Sequence, residues 1–579
     1  MKNSFLLVSL VSIVLINLQC KSGKTDYATQ ETSGNIRLNQ LGYLPSSVKK
    51  VVVVSSSSDN FQLIDSAGNS VFTGNLTSNG IWEQANDTVK IADFSAFEST
   101  GKYRLFIEDL GVSYPFTISE GIYEDVFKAS VKAFYLQRAS MAIEEKYAGK
   151  FNHPVAHPDD KCFYHPSSGK KTGSMSSPKG WYDAGDYNKY IVNAGVTVST
   201  MLTFYENFPE SVPDNYLNIP ESGNGVSDLL DEIKYELDWA ETMQDTDGGV
   251  FFKLTSKSFS GFIKPQDDTM ERFVVGKSTS SALNFAAMFA QAARIWKNID
   301  PVLSETYLQK AKLAWNWALK NPDVEFRNPE DIFTGGYGSN DFKGDFYWAG
   351  AQLYASTGEP AYLDYITANK VDFAFIPSEN WKNYLKNLGY YALLVPGSKL
   401  PEPEKTSISG AILAEADIQI ANLEKCPYRQ PLNTFVWGSN SDVLDLGIIF
   451  AHAYKITNDK KYLNAAIETT DYIFGKNATG ISFVTGFGSK STMFPHHRLS
   501  AADGITEPIP GWVAGGPNGE MQDGESERNP SGLKYPSSAP AKAYLDVEGS
   551  YASNEIAINW NGPLVFMTGF LHLTASGQK

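Results

Sequence analysis

Two stretches of the chain repeat one pattern, and this pattern decides the fold of the larger part of the protein: Tyr354-Ala-Ser-Thr-Gly-Glu-Pro-Ala-Tyr-Leu363 and Tyr454-Lys-Ile-Thr-Asn-Asp-Lys-Lys-Tyr-Leu463. Both place Tyr, Thr, Tyr and Leu at the same offsets, with turn-forming residues between two segments of helical spacing. Helices joined by turns this short pack antiparallel. The two stretches therefore predict helical hairpins.

The chain after Gly121 continues the helical pattern. Apolar residues recur at helical spacing in 123–147, 190–207, 226–243, 279–297, 305–320, 346–357, 361–368, 381–394, 408–422, 441–456, 460–474 and 561–573. Roughly a dozen helices joined by short turns predict a barrel of helical hairpins over 120–579. Long segments at 148–189, 248–277 and 477–553 interrupt the helices, and loops of this length are commonly functional.

The segment 35–119 has the sequence pattern of strands and not of helices. Short β-branched or aromatic runs, typical of strands, occur at 50–54, 61–65, 71–73, 88–91 and 103–107. Turn signals such as Ser66-Ala-Gly-Asn69 separate them, so we expect a small β-sandwich. The predicted fold class is multidomain, with a small all-β sandwich followed by an all-α barrel.

The N-terminus has the features of a targeting signal. Met1-Lys2-Asn3 precedes the apolar run Phe5–Ile16, and Cys20 follows. A basic start and a short apolar run predict a secretory signal peptide at 1–19. Acylation of Cys20 would make the chain a lipoprotein with a polar tether at 20–34, although a plain signal peptide with a chance Cys is the alternative. We therefore expect secretion, with membrane contact limited to an N-terminal lipid anchor.

Composition narrows the class of partner. The 579 residues contain 49 basic and 65 acidic side chains, a net charge of −16, which argues against a nucleic-acid partner. The 11 Trp, 30 Tyr and 34 Phe residues suit either apolar cores or stacking on sugars. Cys162 and Cys426 are too few for a disulfide framework, and their spacing does not decide whether they pair.

Three clusters could carry out chemistry. The first is Gly180-Trp-Tyr-Asp-Ala-Gly-Asp-Tyr-Asn-Lys-Tyr190, in which one turn can direct Asp183 and Asp186 towards one point. One carboxylate can take a proton from water while the other orients that water. An Asp-rich turn that caps the following helix is the simpler interpretation of this cluster alone.

The other two clusters lie near the C-terminus. Phe494-Pro-His-His-Arg498 could bind hydroxyl groups or balance a carboxylate, or could hold a structural His and a paired Arg. Glu555 lies among Tyr551 and Trp560; an apolar setting raises the pKa of a carboxyl and suits a general acid. A helix N-terminal Glu favoured by the helix dipole is the alternative.

Together the clusters resemble glycoside hydrolase family 9, the endoglucanase family whose helical domain is an (α/α)6 barrel. Ser482–Arg498 matches one family signature, and Tyr544–Asn561 matches a second, with Gly562 where a different small residue is expected. The Asp-Ala-Gly-Asp turn is similar to the family's base motif. Ile36–Pro45 resembles the start of the immunoglobulin-like domain that precedes the barrel in one branch.

The resemblance implies site roles. Asp186 would be the catalytic base, Asp183 its partner in holding the water, and Glu555 the acid. It also implies hydrolysis with inversion, in which the carboxyl groups lie about 6.5–9.5 Å apart. The substrate-binding residues would then be His496 and Arg498. Apart from the resemblance, Tyr182, Trp437 and Tyr551 are candidate substrate-binding rings, and further candidate stacking rings are Trp181, Trp348, Tyr544 and Trp560. For each single Trp, and for Tyr182 and Tyr544, a place in the core is the simpler interpretation.

The same resemblance bears on metals and subsites. No cofactor is expected for catalysis. Some relatives bind zinc through a Cys/His set, but here the loop offers a single Cys, with His153, His157, Cys162 and His165, so we predict no zinc. Structural calcium occurs in the family, and Asp159 and Asp160 are candidate ligands. Phe252 stands where many relatives carry a His, which removes a polar contact from the leaving-group side.

The expected function is an inverting endo-β-1,4-glucanase that acts, as a monomer, on a cellulose-like β-glucan. A xyloglucan- or mixed-linkage-specific endoglucanase of the same family is an alternative. A non-catalytic surface glycan-binding lipoprotein is the alternative from another class, against which the complete set of Asp183, Asp186 and Glu555 argues.

Overall fold

The structure is a computed structural model that describes residues 27, 30–377, 384–526 and 529–575. The predicted signal peptide and Cys20 lie outside the described residues. Within those residues, no helix combines the length and the apolar character needed to cross a membrane.

The N-terminal domain is a β-sandwich. Its strands are β1 (Ile36–Arg37), β2 (Gly42–Tyr43), β3 (Lys50–Val54), β4 (Asn60–Asp65), β5 (Ser70–Trp82), β6 (Asp87–Asp93), β7 (Gly101–Ile107), β8 (Gly111–Val112) and β9 (Phe116–Ile118). The long β5 belongs to both layers, because its first half pairs with β4 and its second half with β6. The sequence indicated only 71–73 of this strand, since much of β5 is exposed and lacks an apolar run.

The sandwich has its own core and begins before residue 35. Alternate residues of the strands, such as Val51, Val53, Leu63 and Leu105, are fully buried between the layers. Thr32 bridges Val112 in a parallel pair. Residues 31–34, which we predicted as tether, therefore pack on the sandwich.

The C-terminal domain is an (α/α)6 barrel. Its helices are α1 (Glu124–Leu136), α2 (Glu145–Ala148), α3 (Ile191–Asn207), α4 (Asp228–Thr242), α5 (Thr279–Trp296), α6 (Pro301–Lys320), α7 (Lys343–Thr357), α8 (Pro360–Ala368), α9 (Leu385–Leu393), α10 (Glu402–Lys425), α11 (Ser439–Thr457), α12 (Lys460–Ile473), α13 (Arg498–Ala502), α14 (Tyr551–Asn554) and α15 (Ile558–Ala575). In the described part of the chain, α3, α5, α7, α9, α11 and α15 form a buried inner ring, and α1, α4, α6, α8, α10 and α12 pack outside it. The stretch 123–147, which we predicted as one helix, is α1 followed by a loop and the short α2.

A small sheet lies at the end of the barrel where the predicted clusters meet. It consists of β10 (Cys162–Tyr164), β11 (Ser174–Met175), β12 (Lys189–Tyr190), β13 (Phe251–Thr255) and β14 (Phe273–Lys277), in the order β11-β10-β14-β13-β12. We predicted these segments as loops, apart from Tyr190, which we placed at the start of a helix. Because β12 pairs with β13, the sheet fixes the end of the Asp-rich turn before α3 begins.

The two domains are joined by polar contacts. The Gln40 backbone N–H donates to the Phe474 carbonyl at 3.0 Å, and the Gln40 side chain accepts from the Lys490 backbone N–H at 2.8 Å. Asn39 donates to Asp471 at 2.9 Å. The sandwich thus packs directly against the loop that leads to His496.

Candidate active site

The Asp-rich turn is closed by backbone contacts at both of its ends. The Asp183 N–H donates to the Asn188 carbonyl at 2.9 Å, and the Asp183 carbonyl accepts from the N–H of Ile558, the first residue of α15. Gly185 is required by a close approach, since a Cβ there would lie 2.2 Å from the His496 carbonyl oxygen. The turn therefore holds two carboxyl groups against two other parts of the barrel.

Asp186 and Asp183 use their carboxyl groups differently. The Oδ2 atom of Asp186 accepts from the Asn188 amide and, at 3.3 Å, from the Tyr190 hydroxyl. The Oδ2 atom of Asp183 accepts from Asn193 at 2.9 Å and from Tyr337 at 3.3 Å. Asp186 lines a cavity, whereas Asp183 is fully buried behind it.

The buried position of Asp183 affects its protonation. Desolvation raises the pKa of Asp183 well above its ordinary value, and the charges of Asp186 and Glu555 add to this effect. Its Oδ1 atom is buried without a hydrogen-bond partner among the described residues. A protonated Asp183 beside Asp186 avoids two adjacent buried charges.

Glu555 contacts the same turn from the segment between α14 and α15. Its Oε1 atom accepts from the Gly185 N–H at 3.3 Å, and its carbonyl accepts from the Gly515 N–H at 2.8 Å. Burial, followed by the charge of Asp186, raises the pKa of Glu555 to about 8. Glu555 thus holds its proton at neutral pH, as a general acid must.

His496 and Arg498 are fixed beside these carboxyl groups. The Nδ1 atom of His496 lies 2.6 Å from the Glu548 carbonyl oxygen, which can only accept, so Nδ1 carries the proton. Burial and the nearby Arg498 lower the pKa of His496 to about 4, and the neutral ring therefore offers Nε2 as an acceptor. Arg498 donates to the carbonyls of Gly185 at 2.7 Å and Ser260 at 3.0 Å.

A cavity of about 490 Å³ brings most of the predicted residues together. The predicted members that line it are Asp186, Glu555, His496, Arg498, Trp437, Tyr551 and Trp560. Trp437 and Tyr551 lie with their ring centroids 5.4 Å apart. Apolar rings beside carboxyl groups and hydrogen-bonding side chains suit a sugar chain, which has apolar faces and polar edges.

The prediction that Tyr182 binds substrate is wrong. Its side chain is fully buried, and its hydroxyl contacts the His157 Nδ1 at 2.8 Å, behind the turn. The candidate rings Trp181, Trp348 and Tyr544 are buried as well. These aromatic residues belong to the core, because a ring next to a catalytic motif can point to either side of the backbone.

Two aromatic residues of the cavity were missed. Phe259 and Phe333 line it and remain 46% and 70% exposed. Both lie on loops, which are joined where the Phe333 N–H donates to the Lys257 carbonyl at 2.7 Å. Isolated aromatic residues in loops without apolar periodicity were the available signal.

Phe252 does not affect the cavity in the way we expected. Its ring is buried and stacks on Phe326 with centroids 3.7 Å apart. The neighbouring Lys253 instead donates to Thr334 Oγ1 at 3.0 Å and to the Gly335 carbonyl at 2.7 Å. This lysine holds the loop that forms one wall of the cavity.

The candidate metal ligands are engaged in other contacts. The Asp159 carboxylate pairs with Lys189 at 2.8 Å and with Arg272 at 3.2 Å, and two adjacent cations disfavour a calcium ion there. His157 faces Asp268 at 3.5 Å. Among the described residues, no group of three or more His, Cys, Asp or Glu side chains could hold a metal ion. Cys162 and Cys426 are both free thiols.

A barrel in which an aspartate and a protonated glutamate line one cavity together with aromatic rings, with a second aspartate buried behind the first, defines a glycoside hydrolase that uses carboxyl groups for acid–base chemistry. The sequence model of "Glycosyl hydrolase family 9" matches residues 123–568, and that of "Cellulase N-terminal ig-like domain" matches residues 31–112. The chain belongs to glycosyl hydrolase family 9 and carries the immunoglobulin-like domain at its N-terminus.

Similar proteins span nearly the whole chain. A xyloglucan-specific endo-beta-1,4-glucanase of Bacteroides ovatus is 40% identical over 566 residues, which cover 93% of this chain and 94% of that protein. Endoglucanase D of Acetivibrio thermocellus is 35% identical and covers 94% of this chain and 81% of its own length. A solved structure titled Bacteroides ovatus GH9 superposes with a TM-score of 0.86 at 38% identity, covering 94% and 99% of the two chains.

Proposed function

We propose that this enzyme is an endo-β-1,4-glucanase that hydrolyses internal bonds of a β-glucan with inversion, and that xyloglucan is its preferred substrate. The observation that carries the proposal is that Asp186 and Glu555 line one cavity, with the pKa of Glu555 raised to about 8. This arrangement supplies a base and a protonated acid at the same pH.

The mechanism follows from these positions. Asp186 removes a proton from a water molecule that attacks the anomeric carbon, while Asp183 helps to orient that water. Glu555 gives its proton to the leaving glycosidic oxygen as the C–O bond breaks. The water oxygen ends on the face opposite the leaving group, so that the configuration inverts.

His496 binds the sugar, and Arg498 stabilises the Asp-rich turn. The unprotonated Nε2 of His496 accepts a hydrogen bond from a sugar hydroxyl. Arg498 holds the carbonyl of Gly185 and thereby steadies the turn. Its positive charge opposes the rise in the pKa of Glu555, which keeps the acid within reach of its working range.

The preference for xyloglucan rests on similarity and on the cavity wall. The relative with the xyloglucan-specific name is 40% identical along nearly its full length, compared with 35% for Endoglucanase D. The exposed Phe259 and Phe333 offer apolar surface to branches as well as to the main chain. Cellulose-like and mixed-linkage glucans are the competing substrates.

A substrate panel tests the proposal. The purified enzyme is assayed on xyloglucan, carboxymethyl-cellulose and barley β-glucan, with product sizing and proton NMR of the anomeric signal at early times. We expect the highest kcat/KM on xyloglucan, internal cleavage and α-configured new ends. A higher kcat/KM on carboxymethyl-cellulose would overturn the substrate preference, and β-configured ends would overturn the mechanism.

The non-catalytic alternative is tested with one variant. Glu555→Ala should release far fewer reducing ends than the parent from each glucan while binding them similarly in affinity gels. Equal release by the parent and the variant would show that the catalytic assignment is wrong.

We also propose that the enzyme is secreted as a monomer and anchored through a lipid on Cys20. The N-terminal sequence Met1–Cys20 supports secretion and the lipid anchor. Labelling of cells with a lipid precursor should mark the wild-type chain and leave a Cys20→Ser variant unmarked. Size-exclusion chromatography with light scattering should give the mass of one chain.

A further inference from the structure

The side-chain amide of Asn188 is held in one orientation. Its Oδ1 atom accepts from the Ser256 N–H at 2.9 Å and Arg272 Nη1 at 3.3 Å, while the Ser256 hydroxyl donates its proton to the Ser258 carbonyl at 2.7 Å. Asn188 is 2% exposed. Two donors on one side, neither of which can accept, mark that side as the oxygen end, so the NH2 group faces the other way.

The NH2 group of Asn188 is directed at Asp186. It donates to Oδ2, and the Tyr190 hydroxyl donates to the same oxygen at 3.3 Å. The Tyr190 oxygen in turn accepts from the Gly335 N–H at 3.1 Å, which directs its proton towards Asp186. Among the described residues, the hydrogen bonds to this carboxyl end on Oδ2, which leaves Oδ1 for the cavity that Asp186 lines.

A buried ion-pair network keeps Asn188 in place from behind. Asp159 pairs with Arg272 at 3.2 Å and with Lys189 at 2.8 Å, and both cations are buried. Lys189 lies in β12, which pairs with β13 immediately before Ser256. The network therefore fixes both partners of the Asn188 oxygen relative to the turn.

We propose that Asn188 is a positioning residue that holds Asp186 through Oδ2, so that Oδ1 is the atom that takes the proton from the attacking water. This inference rests on the proposed function, in which Asp186 is the base. In the step, one O–H bond of water breaks, its proton moves to Oδ1, and the oxygen bonds to the anomeric carbon. The leaving oxygen receives the proton of Glu555, and all atoms are accounted for.

The test is Asn188→Asp, which keeps the shape and the acceptor for Ser256 and Arg272 but replaces the amide donor by an oxygen. Two facing carboxyl groups share a proton, so the charged form of the base is disfavoured. We expect the acidic limb of the kcat/KM profile to move up by about one pH unit, kcat to fall at least about tenfold and KM to change less than about threefold.

Matched variants separate this role from a structural one. Asn188→Ala, which removes the donor without adding a carboxyl, should shift the limb in the same direction by less. Tyr190→Phe removes the second donor to Oδ2 and should shift it as well. Asn207→Asp carries the same substitution at the far end of α3, where Asn207 contacts Lys455, and should leave the profile unchanged.

The outcomes distinguish the inference from the proposed function. If Asn188→Asp loses activity and thermal stability together while the acidic limb stays at its wild-type position, Asn188 is only structural and the inference is wrong. If Asn188→Asp does not fold, an unshifted limb in Asn188→Ala and Tyr190→Phe leads to the same conclusion. The proposed function fails separately, when Asp186→Asn hydrolyses glucan at the wild-type rate.

Discussion

Asp186 accepts hydrogen bonds from the Asn188 amide and the Tyr190 hydroxyl, whereas the described residues supply Glu555 with one, from the Gly185 N–H at 3.3 Å. Both carboxyl groups are largely withdrawn from water, and they differ in the number of donors that reach them. Desolvation favours the neutral form of a carboxyl, and burial raises the pKa of Glu555 to about 8. The base and the acid are therefore distinguished by their surroundings, although both are carboxyl groups.

The largest expected effect is the loss of kcat when either the base or the acid is replaced. Asp186→Asn and Glu555→Gln should each lower kcat on polysaccharide by about 10²–10⁴-fold, the range for a lost general base or acid. An aryl β-cellobioside with a good leaving group needs no proton from an acid, so it should restore most activity to Glu555→Gln and none to Asp186→Asn. Steady-state kinetics on both substrates measures this, and restoration in Asp186→Asn would reverse the assignments.

The second largest effect is expected from a methyl group added between the Asp-rich turn and the His496 segment. Gly185→Ala places a Cβ 2.2 Å from the His496 carbonyl oxygen, so either the turn or the His496 segment must shift. A displacement of about 1 Å at a catalytic group can cost about 10²-fold in rate, and we expect a loss of that size in kcat/KM. Gly410→Ala in α10, where an added Cβ meets nothing within 4 Å, is the control and should retain full activity. Activity of Gly185→Ala within twofold of the wild type would show that the turn tolerates the shift.

The third effect is the pH dependence of kcat/KM that the raised pKa of Glu555 produces. The pKa of Glu555 is raised to about 8, and the acid works only while protonated, so kcat/KM should fall about tenfold per unit above that pH. A profile of kcat/KM from pH 5 to 10 measures the alkaline limb. With the aryl substrate, Glu555→Gln should lack this limb. An alkaline limb near the ordinary pKa of a glutamate would contradict the raised value.

The fold class was predicted correctly from the sequence. The candidate set Asp183, Asp186, Glu555, His496 and Arg498 came from motifs, each of which needs particular residue types at fixed spacing, and four of its members line one cavity. Residues distant in sequence supply the features that the motifs do not encode. Asn188 looked like any polar loop residue, since its role depends on where β13 places Ser256.

Side-chain direction explains the wrong predictions. Tyr182 adjoins Asp183 in sequence, but the turn points the aspartate towards the cavity side and the tyrosine towards His157 in the core. Phe333 is exposed in the cavity because Lys253 and the Lys257 carbonyl hold its loop there. Composition and periodicity carry no information on such choices, which depend on tertiary contacts.

The smallest effect concerns the support that the sandwich gives to one side of the cavity. Gln40→Ala removes a bond to the Lys490 N–H at 2.8 Å and one to the Gly480 carbonyl at 3.0 Å, on the loop that leads to His496. Buried groups left without partners cost about 1–3 kcal/mol, so the apparent melting temperature should fall by several degrees. Gln309→Ala, which removes an exposed bond to Glu305 within α6, is the matched control and should change stability by less than about 0.5 kcal/mol.

The activity of Gln40→Ala shows whether the contact between Gln40 and the His496 loop affects catalysis or stability alone. The carboxyl groups of Asp186 and Glu555 are held by contacts within the barrel, so kcat of Gln40→Ala should stay within about twofold of the wild type at temperatures well below melting. A larger loss without unfolding would mean that the sandwich shapes the acid side directly. Asp186, held by Asn188 and the small sheet, would then be positioned by the barrel alone, whereas the position of Glu555 would depend on the sandwich as well.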